Sequence, residues 1–501
     1  MASGNITTLG TCPKVMTNQV KKATSKRKPA GSTIKTSPAY FLSLDVENVL
    51  CFKGKERLDL SDGKGKPAQW TVILGNNGVG KTTLLRCLAL IEKSDNPPIP
   101  ALVSRGDLIW EELQIIYASF SKVKAKIFIG ELSNGTNEPL GLEVQIHFEN
   151  KGLSLKICLE NENEILGKIL SPEVYKAWLD SQSTEQKYEI NKQIYAKLLD
   201  DLHCYGYGAT RKNGKEMLSE TALSNDSASL FSDDAKLINA EEWLLQTDYA
   251  VKSSSGKTRT RLKKEFNHII EILKQILPDI EDIRITPADE ERPRPRAEFF
   301  TPYGWVRLAS LGLGYRATIS WMVDLAVRLF QRYPDSADPL AEPAIVLVDE
   351  IDLHMHPTWQ RTIMKVLTER FPNTQFIVTA HSPLVVQASQ GANIVLLRRE
   401  GDRVVIDNDP EIIANWRVDQ ILTSVFDLTS ARPANLDHLL ARRQKILSKS
   451  KLSKADQVEL KQLEEQIGSL PTAETSEDIK AMDIIRRAAK LLEKSGSEAV
   501  E

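Results

Sequence analysis

The chain has 501 residues and a mass of 56.1 kDa, enough for roughly two to four structural pieces. At 41% hydrophobic and 26% charged residues it can bury a substantial core, which excludes a wholly disordered chain. No apolar run approaches the ~18–20 residues of a membrane helix, and even the strongest, 344–348, is strand-length, so no membrane-spanning role is expected. Sixty-five basic against 67 acidic residues leave a net charge of −2. No global field therefore draws in nucleic acid, and any such contact has to be local. Cys12, Cys51, Cys87, Cys158 and Cys204 are scattered without a C-x-x-C pair. This pattern predicts reduced thiols in a cytoplasmic protein rather than a disulfide framework or a zinc site.

Residues 1–38 hold seven Lys or Arg and no acid, with no hydrophobic period, and are expected to form a disordered basic tail. From Tyr40 the texture changes to apolar, β-prone runs at 41–52 and 70–74. A glycine-rich loop and a helix over 82–91 follow. Strands are expected at 125–131, 140–148 and 153–159, where alternation predicts an antiparallel sheet with one wet face.

The stretch 172–298 is mixed and polar, with helices expected at 172–179 and 184–202. It is expected as an α-rich insertion. A basic run, Lys252, Lys257, Arg259, Arg261, Lys263 and Lys264, precedes an amphipathic helix over 266–277. That run fits either a nucleic-acid contact or a solvated charged loop. Buried strands are expected at 344–348, 375–379 and 394–397.

The last 70 residues show no strand signal. Leucine and isoleucine stripes at 439–447 and 460–470 predict a helical hairpin, with Ser453 and Asp456 as a capping-box variant between them. A third helix is expected at 476–493, and these helices are expected to dock a partner or a second protomer.

Gly75-Asn76-Asn77-Gly78-Val79-Gly80-Lys81-Thr82 matches G-x-x-x-x-G-K-[ST] in full, between an expected strand and an expected helix. Glycines let backbone N–H groups converge on phosphate oxygens, and the following helix offers its positive end. Lys81 is expected on the β- and γ-phosphates of ATP and the Thr82 hydroxyl on Mg²⁺, with Thr83 in the same nucleotide-binding stretch. Residues 345–348 end in Asp349 and Glu350. Asp349 suits the Mg²⁺ shell through water, and Glu350 suits a general base that polarises the attacking water. His354 and His356 lack a third ligand of fitting spacing and are not expected to hold a metal. His381 ends another buried strand, where it is placed to sense a γ-phosphate.

Together these motifs resemble the ATP-binding-cassette (ABC) ATPases, in the soluble branch with structural-maintenance (SMC), RecF-like and OLD-like members. The carrying residues are Asp349 to Pro357 and Thr379 to Pro383. The resemblance implies an α/β, ABC-type P-loop NTPase split by an α-rich insertion, with an antiparallel β subdomain and a C-terminal helical hairpin. Its expected divisions are tail 1–38, ATPase halves 39–171 and 299–430, insertion 172–298 and helical region 431–501. It also implies a D-loop role for Asp352, a switch role for His381, and dimers in which each signature segment completes the opposite subunit's site. The candidate signature is 308–316. With Gly314-Tyr315-Arg316 aligned, Gly312 stands where a serine is expected and Ser310 is a nearby substitute donor, a departure that bears on hydrolysis more than on binding. Gln114 and Gln145 are both candidates for the Q-loop glutamine, and spacing selects neither.

Three further blocks, 205–211, 237–243 and 416–422, resemble bacterial anti-phage ATPases, first the Septu ATPase subunits and second the PARIS ATPases. This resemblance implies a regulatory ATPase that holds an HNH-type nuclease partner and gates it by nucleotide state, in a homo-oligomer built on ABC-type dimers. Only 120 residues follow His381, mostly of helical pattern, and no H-N-H constellation is evident, so the chain itself is not expected to be a nuclease. The alternative is a RecF- or SMC-like DNA-repair ATPase acting on DNA ends. The lack of sustained heptads favours the first reading.

Overall fold

The structure, a computed structural model, describes residues 38–91, 122–129, 140–149, 152–159, 202–211, 226–277, 279–290, 293–409, 418–426, 428, 436–447 and 453–467. Residues 1–37 of the expected 1–38 tail, Gln114, the helix expected at 172–179, all but the last residue of the one expected at 184–202, and the helix expected at 476–493 lie outside the described residues.

Along the chain, β1 (Ala39–Val49), β2 (Phe52–Asp59) and β3 (Trp70–Gly75) lead into helix α1 (Lys81–Ala89). Then come β4 (Lys122–Ile129), β5 (Leu140–Glu149), β6 (Gly152–Leu159) and β7 (Cys204–Tyr207). Helices α2 (Ala228–Phe231), α3 (Ala240–Ser253) and α4 (Gly256–Ile276) precede β8 (Asp282–Thr286), β9 (Arg296–Thr301) and β10 (Gly304–Arg307). Helix α5 (Leu313–Arg332) leads to β11 (Ala344–Val348), α6 (Pro357–Gln360), α7 (Ile363–Arg370) and β12 (Thr374–Thr379). Last come α8 (Pro383–Ala388), β13 (Asn393–Glu400), β14 (Arg403–Asp407), α9 (Val418–Ser424), α10 (Asp437–Leu447) and α11 (Lys454–Ile467).

The central sheet is mixed, in the order β14-β13-β3-β12-β11-β7. Its neighbours are parallel except for the antiparallel β13–β14 hairpin at one edge. Because successive side chains alternate faces and both faces of its middle are covered, the inner strands carry unbroken apolar runs at 72–74, 344–348 and 376–378 instead of alternating with polar residues. Val72, Leu74, Val346, Val348, Phe376 and Val378 enter one core with α4 and α5, while Ile73, Ile345, Leu347 and Ile377 enter another with α1 and β1. Helix α5 is buried from Thr318 to Phe330. A second, antiparallel sheet runs β2-β1-β4-β5-β6, and β8, β9 and β10 form a third.

Two observations differ from the sequence expectation. Strand β7 belongs to the central sheet, although it comes from the stretch expected only to interrupt it. Four residues carry too little periodicity to announce a strand, and parallel pairing with β11 is a long-range event. Helix α4 begins ten residues before the expected start, so five of the six basic residues lie on it and Lys252 lies in the last turn of α3. Ile269, Ile272, Leu273 and Ile276 make its buried stripe, which left its polar first turns without an apolar signal. In the C-terminal pair, Ile446 packs with Leu463, and Ser453 and Asp456 exchange hydrogen bonds at the start of α11. Among the described residues, no helix is long and apolar enough to cross a membrane.

Candidate functional site

Strands β3, β12 and β11 lie side by side and in register, with Ile73 opposite Thr379 and Val378 opposite Val348. Their carboxyl ends therefore open at one place, where parallel sheets bind ligands. The loop after β3 arrives with Gly78 and Gly80 in the left-handed region, at φ 79° and 89°. At Gly80 a side chain is excluded twice over, since a Cβ would meet Cys51 Sγ at 2.5 Å and the Phe52 ring at 2.8 Å.

Lys81 is buried, and its Nζ donates to the carbonyls of Gly75 and Asn76, both at 2.9 Å. Burial pushes its ammonium below the usual lysine range, while Asp349, Glu350 and Asp352 act in the opposite sense. Thr82 Oγ1 donates to Asp349 Oδ2 at 2.7 Å, and Thr379 Oγ1 donates to Asp349 Oδ1 at 2.6 Å. Glu350 adopts φ 49°, and its N–H donates to Thr379 Oγ1 at 2.7 Å. His381 N–H donates to Asp352 Oδ2 at 3.0 Å, leaving Asp352 Oδ1 buried without a partner among the described residues. Burial first, and the Lys81 charge second, hold the His381 imidazole below its ordinary pKa.

Asn77, Gly78, Gly80, Lys81, Thr82, Thr83, Asp349, Glu350 and His381 line one cavity of about 300 Å³, with Leu50 and Cys51 completing its wall. Val79 is turned into the core instead. Ser310, Gly312 and Gly314 do not line it; Ser310 and Gly312 are exposed at the head of α5. Gly314 lies against the segment after Glu350 so closely that a Cβ would meet the His354 carbonyl oxygen at 2.1 Å. His356 caps α6, its Nδ1 accepting from Thr358 N–H at 3.3 Å, and no group of three metal-ligating side chains occurs among the described residues.

Sequence reasoning gave no role to Thr379 or Arg211. Arg211 is buried, with φ 39°, and donates to three backbone carbonyls: Gly208 at 3.2 Å, Asp349 at 2.5 Å and Glu350 at 2.7 Å. Burial lowers its pKa to about 10, with Asp349 the leading opposing charge, so it stays cationic at neutral pH. Its place at the end of the block 205–211 was its only signal.

The AAA ATPase domain family matches residues 42–386, a span that includes every residue of the cavity. The chain belongs to that family. Nucleotide binding follows from the membership.

Among family relatives, Septu protein PtuA of Bacillus mycoides (strain KBAB4) is 25% identical over 415 residues, 82% of this chain and 48% of that protein. "Retron Vc95 probable ATPase" of Vibrio cholerae serotype O1 biovar El Tor is 27% identical over 363 residues, 65% of this chain and 68% of that one. The likeness to Septu ATPases first seen in three short blocks thus extends over most of the chain, although the chain spans only about half the length of this Septu relative. An SMC head domain from Thermotoga maritima covers 74% of this chain and 98% of its own, at 14% identity and a TM-score of 0.37, too loose an overlay to argue from.

Proposed function

We propose that the chain is an ATP-binding and ATP-hydrolysing regulatory subunit of a bacterial anti-phage defence complex, which holds an HNH-type nuclease and gates it by nucleotide state. The observation that carries the ATPase part is the meeting of Lys81, Thr82, Asp349, Glu350 and His381 in one cavity. Backbone N–H groups of 75–80 and the Lys81 ammonium bind the phosphates. Thr82 and Asp349 present touching hydroxyl and carboxylate oxygens, the hard donors that suit Mg²⁺. Both Asp349 oxygens already accept hydrogen bonds, which fits a role through water. Bound there, Mg²⁺ would neutralise charge on the β- and γ-phosphates. Glu350 takes the proton of the attacking water, and His381, whose pKa burial and the Lys81 charge lower, faces the same space and senses the γ-phosphate.

The exposure of Ser310 and Gly312 outside the chain's own cavity supports a homo-oligomer of ABC-type dimers, in which the signature acts on the opposite subunit's nucleotide. The defence role rests on relatives named for Septu and retron systems. In this reading the chain is cytoplasmic, is not itself a nuclease, and uses its C-terminal helices to dock a partner. A second reading, a DNA-end-binding ATPase, draws support from the basic first turns of α4.

Glu350→Gln tests the chemistry. Turnover should fall by about 10²-fold or more while ATP binding is kept, and unchanged turnover removes the assignment. Co-purification of the chain with an HNH-type nuclease from its host tests the partner; a chain that comes out alone at every nucleotide state would sink the gating role.

A further inference from the structure

A buried guanidinium usually sits against a carboxylate, because an unpaired charge away from water is costly. Arg211 does not. Among the described residues no carboxylate lies within ion-pair distance, and its donors go to the Gly208, Asp349 and Glu350 carbonyls. Its guanidinium lies 5.9 Å from the centre of the Trp321 ring on α5.

The backbone it grips is in an uncommon conformation. Glu350 stands at φ 49°, a region an unbranched non-glycine residue occupies only when its surroundings impose it. The impositions come from both sides. Ahead of Glu350, the Asp349 N–H donates to the Tyr207 carbonyl at 2.8 Å and the Asp349 carbonyl accepts from Arg211. At Glu350, the N–H goes to Thr379 Oγ1, and the carbonyl accepts from both Arg211 and the Leu353 N–H. One nitrogen, Arg211 Nη2, thus spans the two peptide groups that define the turn.

We propose that Arg211 is a positioning residue for hydrolysis, locking the Asp349–Glu350 turn so that the Glu350 carboxylate faces the nucleotide cavity. This rests on the reading of Glu350 as general base. Arg211 does not line the cavity and its hydrogen bonds go to backbone carbonyls, while the Asp349 side-chain oxygens are held separately by Thr82 and Thr379, so its loss falls on the placement of Glu350 more than on nucleotide binding.

Arg211→Met keeps an apolar stem against Trp321 and removes the donors; Arg211→Lys keeps a shorter cationic donor. In the full chain, Arg211→Met should lower kcat about thirtyfold or more with KM for ATP and the Kd of a fluorescent ATP analogue within about twofold of wild type. Arg211→Lys should fall between, losing about three- to tenfold in kcat at the same KM. The proposal is overturned if Arg211→Met keeps kcat within about twofold, or if kcat and nucleotide affinity fall together. Should Arg211→Met not fold, Arg211→Lys decides by the same criteria, and kcat within about twofold of wild type overturns the proposal. Glu350→Gln, measured alongside, separates the two claims. If it turns over ATP normally, the base assignment fails; if it is inactive while the Arg211 variants are not, only the positioning role fails.

Discussion

Thr82 Oγ1 and Asp349 Oδ2 are 2.7 Å apart although 267 residues separate them in the chain. The first turn of α1 and the end of β11 therefore act as one oxygen pair, held from behind by Thr379. Thr82→Val or Asp349→Asn should weaken Mg²⁺-ATP binding about 10- to 100-fold. Binding of ATP in EDTA should change by less than about threefold, because the phosphate contacts of Lys81 and the loop remain. Calorimetric titrations with and without Mg²⁺ check this, and equal losses in both would place the pair outside the metal shell.

Asp324 and Arg328 form the heart of a buried polar group. Arg328 Nε donates to Asp324 Oδ2 at 2.6 Å, the Tyr207 hydroxyl donates to the same oxygen at 3.0 Å, and the Ile238 N–H donates to Oδ1 at 2.9 Å. Burial works against the Arg328 charge, but Asp324 and Asp226 outweigh it and raise its pKa, while burial and Asp324 raise that of Tyr207. Asp324→Ala removes the acceptor that these three donors share, leaving Asp226 as the carboxylate on Arg328, and should cost about 3–5 kcal/mol. Urea denaturation measures it; a loss below about 1 kcal/mol, the worth of an exposed pair, would mean the group is solvated.

Glu298 gives a pH-dependent stability. Its hydrogen bond with Arg296, then those from Thr286 and Arg284, hold its carboxyl down at about 2 against burial, which acts to raise it. A folded pKa below the unfolded one means stability fully present above the unfolded value of 4.5 and lost as pH falls toward about 2. Glu298→Gln should therefore be less stable than wild type at pH 7, and the gap should narrow steadily across that window. Urea midpoints at several pH values test it, and a constant gap would count against the linkage.

Gly314→Ala drives a methyl group into the His354 carbonyl, so the head of α5 and the segment after Glu350 have to separate. The expected cost is about 1–3 kcal/mol, as for other overpacked sites. A melting temperature equal to wild type would show that the two segments part freely.

Helix α4 carries Lys257, Arg259, Arg261, Lys263 and Lys264 on its first turns, away from the buried Ile269 and Ile272. Arg259, Lys263 and Lys264 line one groove with Thr260, Asn267, His268 and a single acid, Glu271. Replacing the basic residues by Gln should weaken DNA binding and flatten its salt dependence by about 0.9 in slope for each phosphate no longer neutralised. An unchanged slope would leave the groove as a solvated face.

The nucleotide loop was legible because its information is local: glycines and Lys81 at fixed spacing, with a strand before and a helix after. The strand ending at Asp349 was legible for a related reason, since burial on both faces writes an uninterrupted apolar run. Arg211 was not, because two of its three partners lie 138 and 139 residues further on and all three are backbone atoms, which no side-chain pattern records. Strand β7 was missed as four residues within a polar stretch, and the start of α4 because its first turns bury nothing. The candidate signature at 308–316 was marked by its residue types, and no residue of it lines the chain's own cavity.

Strand β7 ends the central sheet, yet its outward backbone groups are spoken for. Gly206 N–H donates to the Asp226 carbonyl, Ser227 Oγ to the Cys204 carbonyl and Ser229 Oγ to the Gly206 carbonyl. The sheet therefore offers no ladder there for another chain to extend. Recruitment by strand addition is closed off along this edge, which also guards a large apolar sheet against stacking edge to edge with its copies.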